Sequence, residues 1–226
     1  MIAITGLTKS YGATRVLQGL DLSVAPGEVV LLVGANGCGK TTTLRVVAGL
    51  SKGDAGRVLL AGHDVAGRGD ALAALSYLPQ SPRFDERLTA AEILRFYARL
   101  RDVPAARANR VAADWNLEDY LAVPAGRLSG GTRQRLALAV FDLPDAPVLV
   151  LDEPGLSLDP GWRREMQVRL RGAAREGRAV LVATHLLGEW EGEADRCLVL
   201  EAGRVARQVP PARLRAALPA GPLRVA

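Results

Sequence analysis

The chain opens on two stretches in which apolar and polar residues alternate, "IAITGL" from residue 2 and "LDLSVAPGEVVLLVG" from residue 20. Alternation of this kind predicts short, half-buried strands, with a turn at Pro26-Gly27. Within the second stretch, "EVVLLV" (28–33) is almost continuously apolar, as in a strand buried on both faces. Glycines follow, then "TTTLRVVAGL", which reads as a helix, while "GRVLLAG" and "LSYLP" read as further strands. At Thr89 the period changes. "TAAEILRFYARLRDV" brings Ile93, Leu94, Phe96, Tyr97 and Leu100 near one helical face, with Thr89 as N-cap and Glu92 at the capping-box spacing. "PAARANRVAADWN" predicts a second helix with Pro104 at its start. Strand-like runs return in "APVLVLDEP" and "RAVLVATH", and "RCLVLEAGRVARQ" predicts a hairpin turned at Ala202-Gly203. Strands alternating with helices predict an α/β protein with a parallel-sheet core, in which residues 82–140 form a helical insertion.

Composition narrows the class. A chain of 226 residues suits one large domain, or one with a modest insertion, and 49% apolar residues exclude a disordered chain. Cys38 and Cys197 are too few and too far apart for a disulfide framework or a zinc site. Two histidines, His63 and His185, exclude most metal constellations, and His63 reads as part of a surface turn. The first residues, "MIAITGLTKSYG", lack a charged start and an apolar run, and no window of about 18 apolar residues follows, so a soluble cytoplasmic protein is expected. The net charge of +5 lies at the end: Arg204, Arg207, Arg213, Arg215 and Arg224 follow the last acidic residue, Glu201, and the rest of the chain balances. No nucleic acid partner is therefore expected. The arginines read either as a solvated end or as a segment drawn to anionic headgroups or a membrane partner.

Three stretches carry candidate chemistry. "GANGCGKTT", Gly34 to Thr42, has the spacing of a P-loop and lies between a buried strand and a helix. Its glycines let successive backbone N–H groups curl around phosphate oxygens, Lys40 reaches the β and γ phosphates, and the Thr41 hydroxyl suits Mg²⁺. "VLVLDE" (148–153) is a second buried strand ending in two carboxylates: Asp152 suits Mg²⁺ held through water, and Glu153 can polarise an attacking water. "RLSGGTRQRLALAV" (127–140) sets two glycines before a helix, a second anion-binding junction in a chain that already has one.

Together these stretches resemble the ATP-binding cassette family, the ATPase subunits of ABC transporters, over essentially the whole chain. The family's "LSGGQ" signature stands here as "LSGGT", Leu128 to Thr132. "SYG" with Tyr11, "YLPQ" with Gln80, "SLDP" with Ser157 and Asp159, and "ATH" with His185 also occur in the family's order. The resemblance implies a P-loop NTPase (RecA-like) core with an antiparallel β subdomain and an inserted α-helical subdomain. It divides a single ABC ATPase domain, 1–226, into a nucleotide-binding core with β subdomain (1–81 and 141–210), a helical signature subdomain (82–140) and a basic C-terminal tail (211–226).

It also implies roles. Tyr11 would stack on adenine, and Gly34, Asn36, Gly37, Cys38, Gly39, Lys40, Thr41 and Thr42 would hold the phosphates. Thr41, Gln80 and, through water, Asp152 would hold Mg²⁺; Glu153, His185 and Gln80 would serve hydrolysis. Ser129, Gly130, Gly131 and Thr132 would close on ATP bound by a second copy of the chain, with Ser157 and Asp159 at the seam. A homodimer around two ATPs would drive a separately encoded integral membrane permease from the cytoplasmic, inner face of the cell membrane. Three residues depart from the pattern: Thr132 in place of Gln, Gly155 after "DEP", and Cys38 in the P-loop. Cys38 reads either as a thiol of lowered pKa at a helix N-terminus, open to alkylation unless ATP protects it, or as a small residue that fits. "RLTAAEILRFYARLRDVP" is similar to the ATPase subunits of ABC-2 exporters. "YLPQ" and the "RLRAALPAGPLRVA" ending are similar to the subunit that serves copper-site assembly of nitrous oxide reductase, and haem-exporter cassettes are similar in size. The alternative from a different class is a soluble ABC ATPase acting on a protein assembly such as an iron–sulfur cluster scaffold.

Overall fold

Strand β1 (Ile2–Tyr11) turns at Gly12 into β2 (Thr14–Val24), and the two pair antiparallel. Both run longer than their alternating stretches predict, because register shifts between Ile4 and Leu7 and near Ser10 let pairing continue where the alternation breaks. This is a computed structural model, describing residues 1–185, 189, 190 and 192–210; the tail expected over 211–226 lies outside the described residues. Next come β3 (Val29–Val33), α1 (Lys40–Val47), β4 (Ala55–Leu60), β5 (His63–Asp64), α2 (Gly69–Ala73) and β6 (Leu75–Leu78). Helices α3 (Ala90–Leu100), α4 (Ala105–Asp114) and α5 (Gly130–Asp142) follow, then β7 (Val148–Asp152), α6 (Pro160–Arg175), β8 (Ala179–Ala183), β9 (Arg196–Glu201) and β10 (Arg204–Val209).

The described residues form two compact units. One holds residues 1–77, 146–153 and those from 164 onward; the other holds 78–145 with 154–163. The second is wider than the 82–140 read from the sequence and includes a segment, 154–163, that helical periodicity could not assign to it.

The first unit contains an antiparallel sheet of order β2-β1-β4-β5 and a six-stranded sheet of order β10-β9-β3-β8-β7-β6. In the larger sheet β3 pairs parallel with β8 and β9, and β7 pairs parallel with β8. Every residue of β3, β7 and β8 is buried, which is why these strands are uninterrupted apolar runs and not alternating ones. Leu20, Val30, Leu44, Leu60, Val150 and Leu181 pack in one core shared by the two sheets and α1. The predicted hairpin joins β9 to β10 through Ala202 and Gly203, both at positive φ, the backbone a two-residue turn of this hand requires.

In the second unit α3, α4 and α5 pack on one another. The Thr89 hydroxyl accepts the Glu92 N–H and the Glu92 carboxylate accepts the Thr89 N–H, completing the predicted capping box. The apolar face of α3 is narrower than expected. Ala90, Ile93, Leu94 and Ala98 are buried, whereas Phe96 is 56% and Leu100 65% exposed. At about 100° per residue, Phe96 lies far around the helix from Leu94, so the five apolar residues cannot share one face. Trp115, fully buried, donates from Nε1 to the Asp142 carboxylate at 2.8 Å and ties the end of α4 to that of α5. Helix α6 is an element the sequence reading passed over. Its signals were present: Pro160 at the first position, an Asp159 carboxylate that accepts the Trp162 N–H at 3.0 Å, and buried Met166, Leu170 and Ala174 at fourfold spacing.

Candidate functional site

Three adjacent parallel strands, β3, β8 and β7, end at one edge of the sheet, and each delivers one part of the site. Their register sets Leu32, Ala183 and Asp152 in one row. The chain beyond that row is the P-loop after β3, Glu153 after β7, and Thr184-His185 after β8. Carboxyl ends of parallel strands are where open α/β sheets bind ligands, because the loops there diverge and leave a crevice.

The P-loop leaves β3 at Gly34 and becomes helix at Lys40. Gly34 (φ 155°) cannot carry a side chain, since a Cβ would run into the Leu200 carbonyl and approach Cys38 Sγ to 2.7 Å. Gly39 (φ 111°) is pressed by β2, so that a Cβ there would lie 2.8 Å from Leu17. The loop is thus wedged from both sides, while its crown, Ala35 to Gly37, is exposed. Lys40 is buried and its ammonium donates to the carbonyls of Gly34 at 2.8 Å and Ala35 at 3.2 Å, holding the cation over the loop. Thr43 fastens the first turn of α1 by donating from its hydroxyl to the Gly39 carbonyl at 2.9 Å. Tyr11, at the end of β1, leaves 49% of its surface open, with the Lys9 ammonium 5.3 Å from its ring centroid.

Asp152 is 1% exposed, and among the described residues neither carboxylate oxygen has a hydrogen-bond partner. Burial pushes its carboxyl above the ordinary range; the Thr41 hydroxyl nearby opposes the shift and the charge of Glu153 adds to it. A buried, unpaired carboxylate beside a hydroxyl suits a divalent cation that prefers oxygen ligands. Asp152 and Thr41 therefore fit Mg²⁺ at the mouth of the loop.

Glu153 has a left-handed backbone (φ 49°), rare for a residue with a side chain, and its N–H is held by the Ala183 carbonyl at 2.8 Å. This twist turns a buried carboxylate toward β8, where its Oε2 accepts the His185 N–H at 3.3 Å and lies 2.8 Å from His185 Nδ1. The His185 side chain is 45% exposed. The contact fixes the orientation of the carboxylate beside an open imidazole.

Cys38 does not match its reading as an activated thiol. Burial raises its pKa, and the nearby Lys40 ammonium offsets this only in part. The small-residue reading stands, with Sγ filling the space that Gly34 leaves.

The remaining predicted residues lie in the second unit. Gln80 is exposed, two residues beyond β6. Ser129 caps α5, its hydroxyl accepting the Thr132 N–H at 3.1 Å. Gly130 and Gly131 open that helix, and a Cβ on Gly131 would meet the Ser157 carbonyl at 3.2 Å. Thr132 is buried, and Gln134 donates to the Pro154 carbonyl at 2.8 Å. Ser157 and Asp159 are exposed in the turn before α6. One residue that motif reading missed is Arg135, whose guanidinium lies 5.5 Å from the Tyr120 ring and 4.8 Å from that of Trp162. Its only sequence signal was the alternation of arginines in "TRQR".

Wedged glycines, a buried lysine over the loop and two carboxylates at the end of β7 define a P-loop nucleotide-binding domain. Residues 17–155 match the model of the ABC transporter family, and the chain belongs to that family as its ATP-binding, ATPase domain. It is 40% identical over 210 residues to daunorubicin resistance ATP-binding protein DrrA3 of Streptomyces coeruleorubidus, covering 90% of this chain and 66% of that one. It is 36% identical over 219 residues to Nod factor export ATP-binding protein I of Ralstonia nicotianae, covering 95% and 68%. This chain thus spans about two thirds of the length of these relatives. The solved structure of an ATP-binding subunit of an ABC transporter is 28% identical and superposes with a TM-score of 0.87 over 99% of this chain and 96% of that one. Among the described residues no helix is long and apolar enough to cross a membrane.

Proposed function

We propose that the chain binds ATP with Mg²⁺, pairs with a second copy around two nucleotides, and drives a membrane permease of the ABC-2 exporter type from its cytoplasmic face. The observation that carries the nucleotide chemistry is Asp152 and Glu153 side by side at the end of β7, one unpaired and the other in contact with His185. Tyr11 offers its open face to adenine. The P-loop amides from Gly34 to Thr42 and Lys40 bind the phosphates, with the ammonium moving from its carbonyls onto phosphate oxygens. Thr41 and Asp152 hold Mg²⁺, which when bound offsets charge on the β and γ phosphates. Glu153 accepts the proton of the attacking water. Through Nδ1 His185 keeps that carboxylate oriented, and the opposite ring edge faces the γ-phosphate.

Pairing accounts for the second glycine junction. Ser129, Gly130, Gly131 and Thr132 close on the ATP held by the other copy, with Ser157 and Asp159 lining the seam. Binding then clamps the pair and hydrolysis releases it, turning nucleotide state into movement of the permease. The names of the relatives, one tied to daunorubicin resistance and one to Nod factor export, support export as the direction. The test is Glu153→Gln. ATP binding is retained, turnover falls by about 10²–10⁴-fold, the range of a general base, and ATP traps a dimer visible by light scattering. Turnover at the wild-type rate overturns the assignment of the base.

A further inference from the structure

The last turn of α1, the loop that leaves it and the turn after β5 enclose a cavity of about 350 Å³ that the nucleotide chemistry does not use. This volume falls within the range of pockets that hold small molecules, about 300–1,000 Å³. Its floor is apolar, built from Leu7 of β1, Val46 of α1, Val58 of β4 and Val65. Helix α1 has eight residues, so a length of about 12 Å separates this end from the P-loop at the other.

The rim is charged and unbalanced. Lys52, Arg57 and Arg68 line it, with Asp64 as the one acid among the described lining residues. That carboxylate is already answered: Oδ2 accepts Arg57 Nε at 2.7 Å, and Oδ1 accepts the Ala66 N–H at 2.9 Å. Asp54, close by in sequence, is engaged by the Lys9 ammonium at 3.2 Å and the Ser10 N–H at 2.6 Å. Lys52 and Arg68 therefore add two positive charges over an apolar floor. Arg68 also supplies a second observation. Its backbone stands at φ 60° and ψ −92°, a conformation that residues with a side chain rarely adopt, and its N–H donates to the Val65 carbonyl at 3.1 Å. Strained backbone of this kind clusters at ligand clamps and switch regions.

We propose that this cavity binds a small organic anion, with an oxyanion head held by Lys52 and Arg68 and a short apolar body laid over Leu7, Val46, Val58 and Val65. The charges select an anion, because an uncharged molecule leaves them unpaired. The floor selects an organic one, because an inorganic ion leaves the apolar side chains in contact with water. The volume admits a free molecule of this kind but not the two acyl chains of a phospholipid. The site lies apart from the P-loop, so its failure leaves the function proposed above untouched.

The test is an NMR titration of the full chain, labelled at its Val and Leu methyl groups, at pH 7 with and without ADP. The probes are hexanoate, hexan-1-ol (the same body without the charge) and acetate (the head without the body). Hexanoate shifts the methyl signals of Leu7, Val46, Val58 and Val65 along a saturable curve whether or not ADP is bound. Hexan-1-ol and acetate each bind about tenfold more weakly or worse, the size of one hydrogen bond to a charged group or of two buried methylenes. Lys52→Gln combined with Arg68→Gln weakens hexanoate by about tenfold and leaves hexan-1-ol unchanged, a split that general loosening of the loop does not produce. Ala66→Trp, at an exposed position on the rim, fills the mouth and abolishes the shifts. Hexanoate that binds no better than hexan-1-ol, that is displaced by ADP, or that binds either variant as it binds wild type overturns the proposal. Saturable shifts confined to other methyl groups, or none at all, overturn it as well.

Discussion

Asp152 imposes a cost on the protein that its ligand removes, and the cost can be measured. Both carboxylate oxygens are buried and, among the described residues, without a hydrogen-bond partner. An unsatisfied buried acceptor costs about 1–3 kcal/mol, and a charged one more. Asp152→Asn keeps the shape and removes the charge but leaves a polar amide in the same place, so only part of the penalty is recovered. A net stabilisation of roughly 1–2 kcal/mol is expected for the protein without nucleotide, a rise in Tm of about 2–8 °C for a domain of this size. The variant also gives up the charge that suits Mg²⁺. Thermal unfolding followed by circular dichroism, with no ligand, with ATP, and with ATP and Mg²⁺, separates the two effects: the variant melts higher than wild type alone and loses most of the increment due to Mg²⁺. The pH dependence has a definite sign. A carboxyl whose pKa is raised in the fold above its ordinary 3.8 takes up its proton before the unfolded chain does as pH falls, so the wild-type penalty and the advantage of the variant shrink together on acidification. A variant that melts at or below wild type without ligand, or that keeps the full Mg²⁺ increment, refutes the reasoning.

Two further predictions concern other parts of the first unit. Cys38, with its thiol pKa raised by burial, reacts with iodoacetamide at pH 7 more slowly than free cysteine and speeds up as pH is raised; mass spectrometry that finds it faster than the free amino acid contradicts this. Glu28 anchors the start of β3 through hydrogen bonds from Arg196 Nε and Nη2 and from the Ala25 N–H, while Arg196 Nη2 also reaches the Ser23 carbonyl at 2.8 Å. Burial alone would push the Glu28 carboxyl up, but these donors outweigh it and hold it below its ordinary 4.5. Its contribution is therefore complete above pH 4.5 and is lost as pH falls through the lower folded value. Glu28→Gln lowers stability at pH 7 by about 1.5–3 kcal/mol, as for hydrogen bonds to a charged group, and flattens acid unfolding below pH 4.5; urea titrations that coincide with wild type at pH 7 exclude it.

What the sequence determined by itself was local. Buried strands declare themselves as continuous apolar runs, as at residues 29–33 and 148–151, because both faces must avoid water. A P-loop is legible because its glycines, lysine and threonine belong to one short segment whose spacing is its geometry. The capping box at Thr89 and the turn at Ala202-Gly203 were readable for the same reason. Tertiary structure decided whatever depends on neighbours distant in sequence. It buried Ile93 but left Phe96 and Leu100 on the surface, and it surrounded Cys38 closely enough to raise its pKa. It left Asp152 without a hydrogen-bond partner among the described residues, set Glu153 against His185 32 residues away, and drew Arg135 to Thr132 by way of rings on α6 and near α4. The difference is physical. Conformational preference and spacing are written within a few residues, whereas desolvation and charge pairing arise only when remote segments close around a group.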